Sequence, residues 1–310
     1  MSTTATAQAA DLPAGLPADL PSLEPTGGGW QRWATIAMSV AILGIVLWEL
    51  YQYGPGVLSA SLPTSPGFYI AIFAAYMTQP VFDWLIFRRL WNLPGAGIVP
   101  LIKKRVANDV LVNYSGEAYF YLWARQRTKL TSAPFGTVKD VSIMSAFAGN
   151  VMTLALLAIA WPVAEGIDLG IPRQPILLGG SVVIITSLVI LGFSKKIFFL
   201  PFARLREVFG IHMVRLVLST VLMAVAWYFA MPSVPIEYWV LFGALRLLIG
   251  RLPFIPSKDL LFAAVVLVLA ESGSQLEAVL ALSAGAIIAI NLVFGLVLFA
   301  ATLFSRREAA

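Results

Sequence analysis

Residues 112–129 read VNYSGEAYFYLWARQRTK. Gly116 and Glu117 stand inside a run that is otherwise apolar and aromatic, and Arg125, Arg127 and Lys129 follow it. On a water-facing helix Glu117 would be an ordinary surface acid. At membrane depth a carboxylate must face protein or water, and it then marks a site by default. The rest of the chain decides between these readings.

Composition places the stretch in a membrane. Hydrophobic residues make up 59% of the 310-residue chain and charged residues 12%, with mean hydropathy +0.84. A soluble domain carries about 25% charged residues, so this chain has too few to cover a water-facing surface. It reads as an integral membrane protein. The chain has no cysteine and a single histidine, His212. That excludes disulfides and thiolate metal sites and disfavours haem, di-metal and Ser–His chemistry. The net charge of +5 points to topology and anionic lipid headgroups rather than to nucleic acid.

Residues 1–29 are small, polar and Pro/Gly-containing, and read as a disordered cytoplasmic tail. Residues 30–307 read as one transmembrane domain and 308–310 as a short cytoplasmic tail. Candidate spans are 33–52, 67–87, 141–162, 175–194, 211–231, 236–252 and 278–304. A spanning helix needs about 20 apolar residues. Two segments fit less well. Residues 106–124 carry Asp109, Asn113 and Glu117, and the apolar run 260–270 reaches only about 17 Å as a helix. Both read as re-entrant or half-membrane elements, tolerated where they pack in protein or line a wet cavity. The predicted fold is an all-α polytopic bundle of about 6–8 spans with these two half-membrane segments. Basic residues collect on one side of it, among them Arg88, Arg89, Lys103, Lys104, Arg105, Arg251, Lys258, Arg306 and Arg307, whereas the opposite loops keep Arg173. By the positive-inside rule both termini lie in the cytoplasm and eight crossings result.

Read as one helix, 106–124 places Asp109, Asn113 and Glu117 four apart on a single face. Gly116 beside them lets another backbone approach. Tyr119, Phe120, Tyr121 and Trp123 read as an interface belt, with Arg125 beyond it in water. A second polar patch is LRLLIGRLPFIPSKD, residues 245–259. Arg246 lies within a span, and Arg251, Lys258 and Asp259 surround Pro253 and Pro256. Asp259 is expected to cap the half-helix, whose N-terminus with Lys258 suits an anion. In both patches the ordinary alternative is structural: a paired acid in the first, a proline turn with snorkelling basic residues in the second.

The remaining polar residues read as structural. Asp83 is expected to pair with Arg88 or Arg89. Ser142, Ser145, Gly149 and Thr153 form a small-residue stripe for helix packing. Asn291 is expected to be satisfied by a neighbouring helix, and His212 is structural. No GxSxG, HExxH, P-loop or dinucleotide fingerprint is present, and no paired-carboxylate motif for metal–nucleotide binding. No catalytic residue, metal site or cofactor is expected.

The run NYSGEAYFYLWAR and the late LPFIPSKDLLFAAVVLVLAESGSQLEAVLAL resemble the Gly-Glu segment and the Pro-rich re-entrant segment of the membrane domain of lysylphosphatidylglycerol synthases and its stand-alone relatives. The resemblance spans about residues 33–305. It implies movement of a phospholipid or other amphiphile between leaflets, without the soluble aminoacyl-transfer domain. The expected protein is a bacterial inner-membrane protein that binds or moves a lipid through a polar intramembrane cavity. Asp109, Asn113, Gly116, Glu117, Arg125, Arg246, Lys258 and Asp259 are the candidate binding residues, with Arg246 and Lys258 expected to hold the headgroup phosphate and Glu117 and Asp109 to pair with those cations when no lipid is bound. Membrane lipids with anionic headgroups are the expected partners, nucleic acid is not, and a homo-oligomer or membrane-complex partner fits. The other class of function is a scaffold or assembly subunit of a membrane complex, in which the same residues only join helices.

Overall fold

The computed structural model describes residues 63–110, 114–125, 134–166, 173–192, 197–252 and 258–269, and parts of 279–297. Among them every element is helical and there is no strand. In chain order these are α1 (Pro66–Trp91), α2 (Ile98–Val110), α3 (Ser115–Arg125), α4 (Pro134–Gly166), α5 (Arg173–Gly192), α6 (Phe202–Ala230), α7 (Ile236–Gly250) and α8 (Lys258–Leu269). A last apolar helical stretch lies within Leu282–Gly295. Helices α1, α4 and α6 are long and apolar enough to cross a membrane. The expected first span, 33–52, lies outside the described residues. Helices α5, α7 and the last stretch fall where spans were expected. The count of 6–8 spans is therefore represented here by three full-length helices and several shorter ones.

Proline placement explains the ends and one opening of α1. Pro66 starts it, where a missing N–H costs nothing. Asn92 ends it at φ 53°, and its N–H donates to the Arg88 carbonyl at 2.9 Å, a left-handed C-terminal cap. Pro80 lies inside the helix. It supplies no N–H to the carbonyl four residues earlier, which leaves the Tyr76 carbonyl open. The Arg105 guanidinium of α2 takes that carbonyl at 2.6 Å. A sequence feature that would merely kink the helix thus creates a fixed seat for a cation.

Helix α1 packs along α6, and α4 packs against α5, α6 and α7. Phe68, Ile72, Trp227, Trp239 and Phe262 form one apolar cluster where α1, α6, α7 and α8 meet. A second joins Phe87, Trp91, Phe120, Val141 and Val208. Phe120 is fully buried there, stacked on Trp91 and Trp123. The aromatics of α3 therefore face the core as well as its edge. The expected interface belt is corrected: the helix is amphipathic, and its Gly116, Phe120 and Ala124 side turns inward. Away from the bundle, α5 and α6 expose Leu178, Ile185, Leu188, Val214 and Val221. Apolar faces of this extent suit lipid contact rather than water.

Residues 106–124 do not form one helix. Helix α2 ends at Val110 and α3 begins at Ser115, after Tyr114 with φ 71°. The two helices fold against each other as a hairpin. Ser115 Oγ donates to the Ala107 carbonyl at 2.8 Å, and the Gly116 N–H donates to Asn108 Oδ1 at 2.8 Å. A Cβ on Gly116 would collide with the Lys104 carbonyl, so the close backbone approach expected of Gly116 is met within this hairpin. The break means that Asp109 and Glu117 do not share a helix face. Asn113 lies outside the described residues.

Helix α8 has 12 residues, about 18 Å at 1.5 Å per residue. Asp259 sits in its first turn rather than ahead of it. The expected N-cap is thus corrected to a first-turn acid, a position that favours the helix dipole while leaving the carboxylate available to a neighbour.

Candidate functional site

All eight helices and the last helical stretch turn charged or polar side chains into the middle of the bundle. Two adjoining cavities result, of about 260 Å³ and 530 Å³. They share Asn108, Gly250, Arg251 and Lys258 as a common boundary. Six cations line them: Lys104, Arg105, Arg215, Arg246, Arg251 and Lys258. Four carboxylates oppose these: Asp83, Asp109, Glu117 and Asp259.

Each carboxylate is engaged. Lys104 Nζ lies 2.9 Å from Asp83 Oδ2 and 3.4 Å from Glu117 Oε1. Arg215 approaches Asp83 Oδ1 at 3.8 Å and donates to Ser145 Oγ at 3.1 Å. Burial opposes the charge on Lys104, but Asp83 and Glu117 outweigh it and hold the ammonium above its ordinary pKa. Arg105 meets Asp109 at 3.5 Å and lies over the Tyr76 ring, 3.9 Å from its centroid. Tyr76 donates to Asn291 Oδ1 at 2.7 Å, and Asn291 donates to Asp109 Oδ2 at 3.2 Å. Arg246 Nε donates to Asp259 Oδ1 at 2.7 Å, with Nη2 equally close.

Arg251 and Lys258 differ. Among the described residues neither has a carboxylate within 4.0 Å. Lys258 Nζ donates to the Gly250 carbonyl at 2.6 Å. Arg251 reaches under α4 toward the Ala146 carbonyl at 3.5 Å, and its Nε is buried without a partner. Gly149 makes room for it, because a Cβ there would collide with the guanidinium. Burial, with Arg251 adding to it, pushes the Lys258 ammonium down to about 8. Among the described residues the chamber therefore carries two more cations than carboxylates, at the boundary of its two halves.

Several expectations are corrected by this geometry. Glu117 meets Lys104, not Arg246 or Lys258, because the hairpin turns it toward α2 and α1. Its second oxygen, Oε2, is buried without a partner. Arg246 is committed to Asp259, so Lys258 and Arg251 are the cations left open. Asp83 pairs with Lys104 and Arg215 rather than with Arg88 or Arg89, since it points into the bundle while Arg89 turns out to Glu207 at 2.8 Å. Lys104 and Arg105, expected in a cytoplasmic loop, are buried. Arg125 is exposed at the end of α3 and lines neither cavity. The stripe on α4 is a chamber wall: Ser145 accepts from Arg215 and Gly149 admits Arg251. Asn291 is satisfied across the bundle as expected. His212 is fully buried and lines the larger cavity beside Asp83.

The residues missed by sequence reasoning are Asp83, Lys104, Arg105, Arg215 and Arg251. A signal existed for two of them, because Asp83 and Arg215 are opposite charges within the expected spans 67–87 and 211–231. The described residues contain no cluster of side chains suited to a metal ion. No protein-family model, curated protein or solved structure matches the chain. The resemblance to the lysylphosphatidylglycerol synthases rests on the quoted motifs.

Proposed function

We propose that this protein binds the anionic headgroup of a membrane amphiphile in the central chamber and carries it toward the other leaflet. One observation carries the reading: Arg251 and Lys258 are held between two cavities without a carboxylate partner among the described residues. Cations that are partly buried without a carboxylate carry a desolvation cost. A phosphate arriving from the lipid offsets that cost by charge-assisted hydrogen bonds. The setting belongs to the same proposal: a bacterial inner membrane, eight crossings and both termini in the cytoplasm, as the basic residues indicate.

The test is transfer of fluorescent phospholipids between leaflets of proteoliposomes. Arg251→Gln combined with Lys258→Gln is expected to reduce protein-dependent transfer to the protein-free level while the protein purifies as wild type. Wild-type transfer by that variant sinks the reading. The assembly-subunit alternative draws on the other half of the chamber, where Asp83 and Glu117 are used to join α1, α2, α3 and α6. It expects no transfer by the wild-type protein, and loss of partner recovery when Asp83 is replaced.

A further inference from the structure

A third, apolar cavity of about 490 Å³ lies against the chamber, between α3, α4 and α5. Its walls include Ala118, Tyr121, Phe135, Ile143 and Ile190. It shares Tyr114, Glu117, Ser142, Ala146 and Ile190 with the larger polar cavity, so the two adjoin along one wall. Tyr114 and Phe135 are exposed at 62% and 47%, which puts the groove at the outer surface of the bundle. A ligand seated across this boundary has a hydrocarbon part on one side and a charged part on the other.

The charged part can be specified from the count of ionised groups. Among the described residues the four carboxylates each have a cation, and two cations remain. A phosphodiester headgroup carries one negative charge and leaves one of the two unneutralised. A phosphomonoester carries about −1.5 to −2 near neutral pH and three acceptor oxygens. Arg251 and Lys258 flank one shared boundary, so both can reach a single phosphate group.

Resting on the headgroup reading above, we infer that the ligand is a lipid phosphomonoester, its phosphate between Arg251 and Lys258 and one hydrocarbon chain in the α3–α4–α5 groove. Glu117 stands at the junction, paired to Lys104 through one oxygen. Its negative charge faces the entry and disfavours anions that bind short of the two cations. Specificity for the dianion then comes from matching both open charges at once.

The experiment uses the purified full chain in detergent micelles doped with phosphatidate, phosphatidylglycerol or phosphatidylethanolamine, with binding read by intrinsic tryptophan fluorescence. Phosphatidate is expected to bind about tenfold more tightly than phosphatidylglycerol, the equivalent of one charge-assisted contact. Arg251→Gln and Lys258→Gln should each remove that preference, and Lys258→Arg, which keeps the charge, should retain it and serve as the folded control. Ala118→Trp, which fills the groove from an exposed position, should weaken phosphatidate binding but leave competition by glycerol 3-phosphate unchanged. Equal binding of phosphatidate and phosphatidylglycerol, both lost on removing the two cations, overturns the monoester assignment and leaves the headgroup reading standing. Binding of neither lipid overturns both. Glycerol 3-phosphate binding as tightly as phosphatidate, with no effect of Ala118→Trp, overturns the groove and makes the site one for a soluble phosphate.

Discussion

The chamber has two halves that treat charge in opposite ways. Around the α2–α3 hairpin, Lys104 is shared by Asp83 and Glu117, and Asp83 is shared by Lys104 and Arg215. At the α7–α8 corner Arg246 is paired with Asp259, but Arg251 and Lys258 are left over. The first half is closed, and its charges fix four helices relative to one another. The second is open, and its charges lack the groups that would neutralise them. A buried pair broken on one side is strongly destabilising, whereas a buried cation without a partner is already costly. Substitution should therefore damage folding in the first half and binding in the second.

The largest expected effect is on the closed half. Asp83→Asn leaves Lys104 and Arg215 without their common carboxylate and should cost about 3–5 kcal/mol, read as a lowered thermal unfolding midpoint in detergent. An unchanged midpoint would show that the cluster is not the joint described here. Gly116→Ala drives a Cβ into the Lys104 carbonyl. It should cost about 1–3 kcal/mol as overpacking of a tight helix contact, seen as faster proteolysis of the hairpin in limited trypsin digestion.

On the open half the sign reverses. Arg251→Gln removes a cation whose Nε has no partner, so stability should hold or rise while phosphatidate binding weakens about tenfold. A variant that loses stability and keeps binding would place Arg251 with the structural charges. Gly149→Ala tests the same residue indirectly, since the added methyl must displace the guanidinium. The moving group is the end of a flexible side chain, so the loss of binding should be smaller, about threefold, and folding should be unaffected.

The smallest expected effect is a pH dependence. Burial and Arg251 hold Lys258 at about 8 in the folded protein, against an ordinary value of 10.5, with Asp109 and Asp259 pulling the other way. Between these two values the unfolded chain binds the proton and the folded chain has released it. Stability of the ligand-free protein therefore rises with pH across that window. Anion binding runs the other way and weakens as pH rises through about 8. Replacing Lys258 by arginine should flatten both trends, as titrations of unfolding and of phosphatidate affinity would show.

Much of the architecture was legible along the chain. Long apolar runs locate α1, α4 and α6, because a bilayer-crossing helix must be apolar over its whole length. The short apolar run that became α8 was readable by length. The hairpin was less legible: a spacing of four between Asp109, Asn113 and Glu117 imitates one helix, and only the left-handed φ of Tyr114 shows the break. The role of Gly116 is legible in the sequence, since a glycine beside a charge in a packed segment lets a second backbone approach closely. The site was readable as a list of residue types and misread as a set of partners. Glu117 was matched to the cations of the second patch when Lys104, thirteen positions earlier in the chain, was nearer in space.

Composition, apolar length and the distribution of basic residues determine that this chain is helical and belongs in a membrane, because the cost of exposing polar groups to hydrocarbon acts residue by residue and can be summed along the sequence. Which charges neutralise one another was decided only by tertiary structure. Tyr76 and Asn291 are 215 positions apart, and Asn291 and Asp109 are 182 apart. Electrostatic energy depends on the separation and burial of the two groups, and helix packing sets both. Arg105 owes its seat to Pro80, and Arg251 owes its seat to Gly149. In each case a residue on one helix makes space for a charge on another.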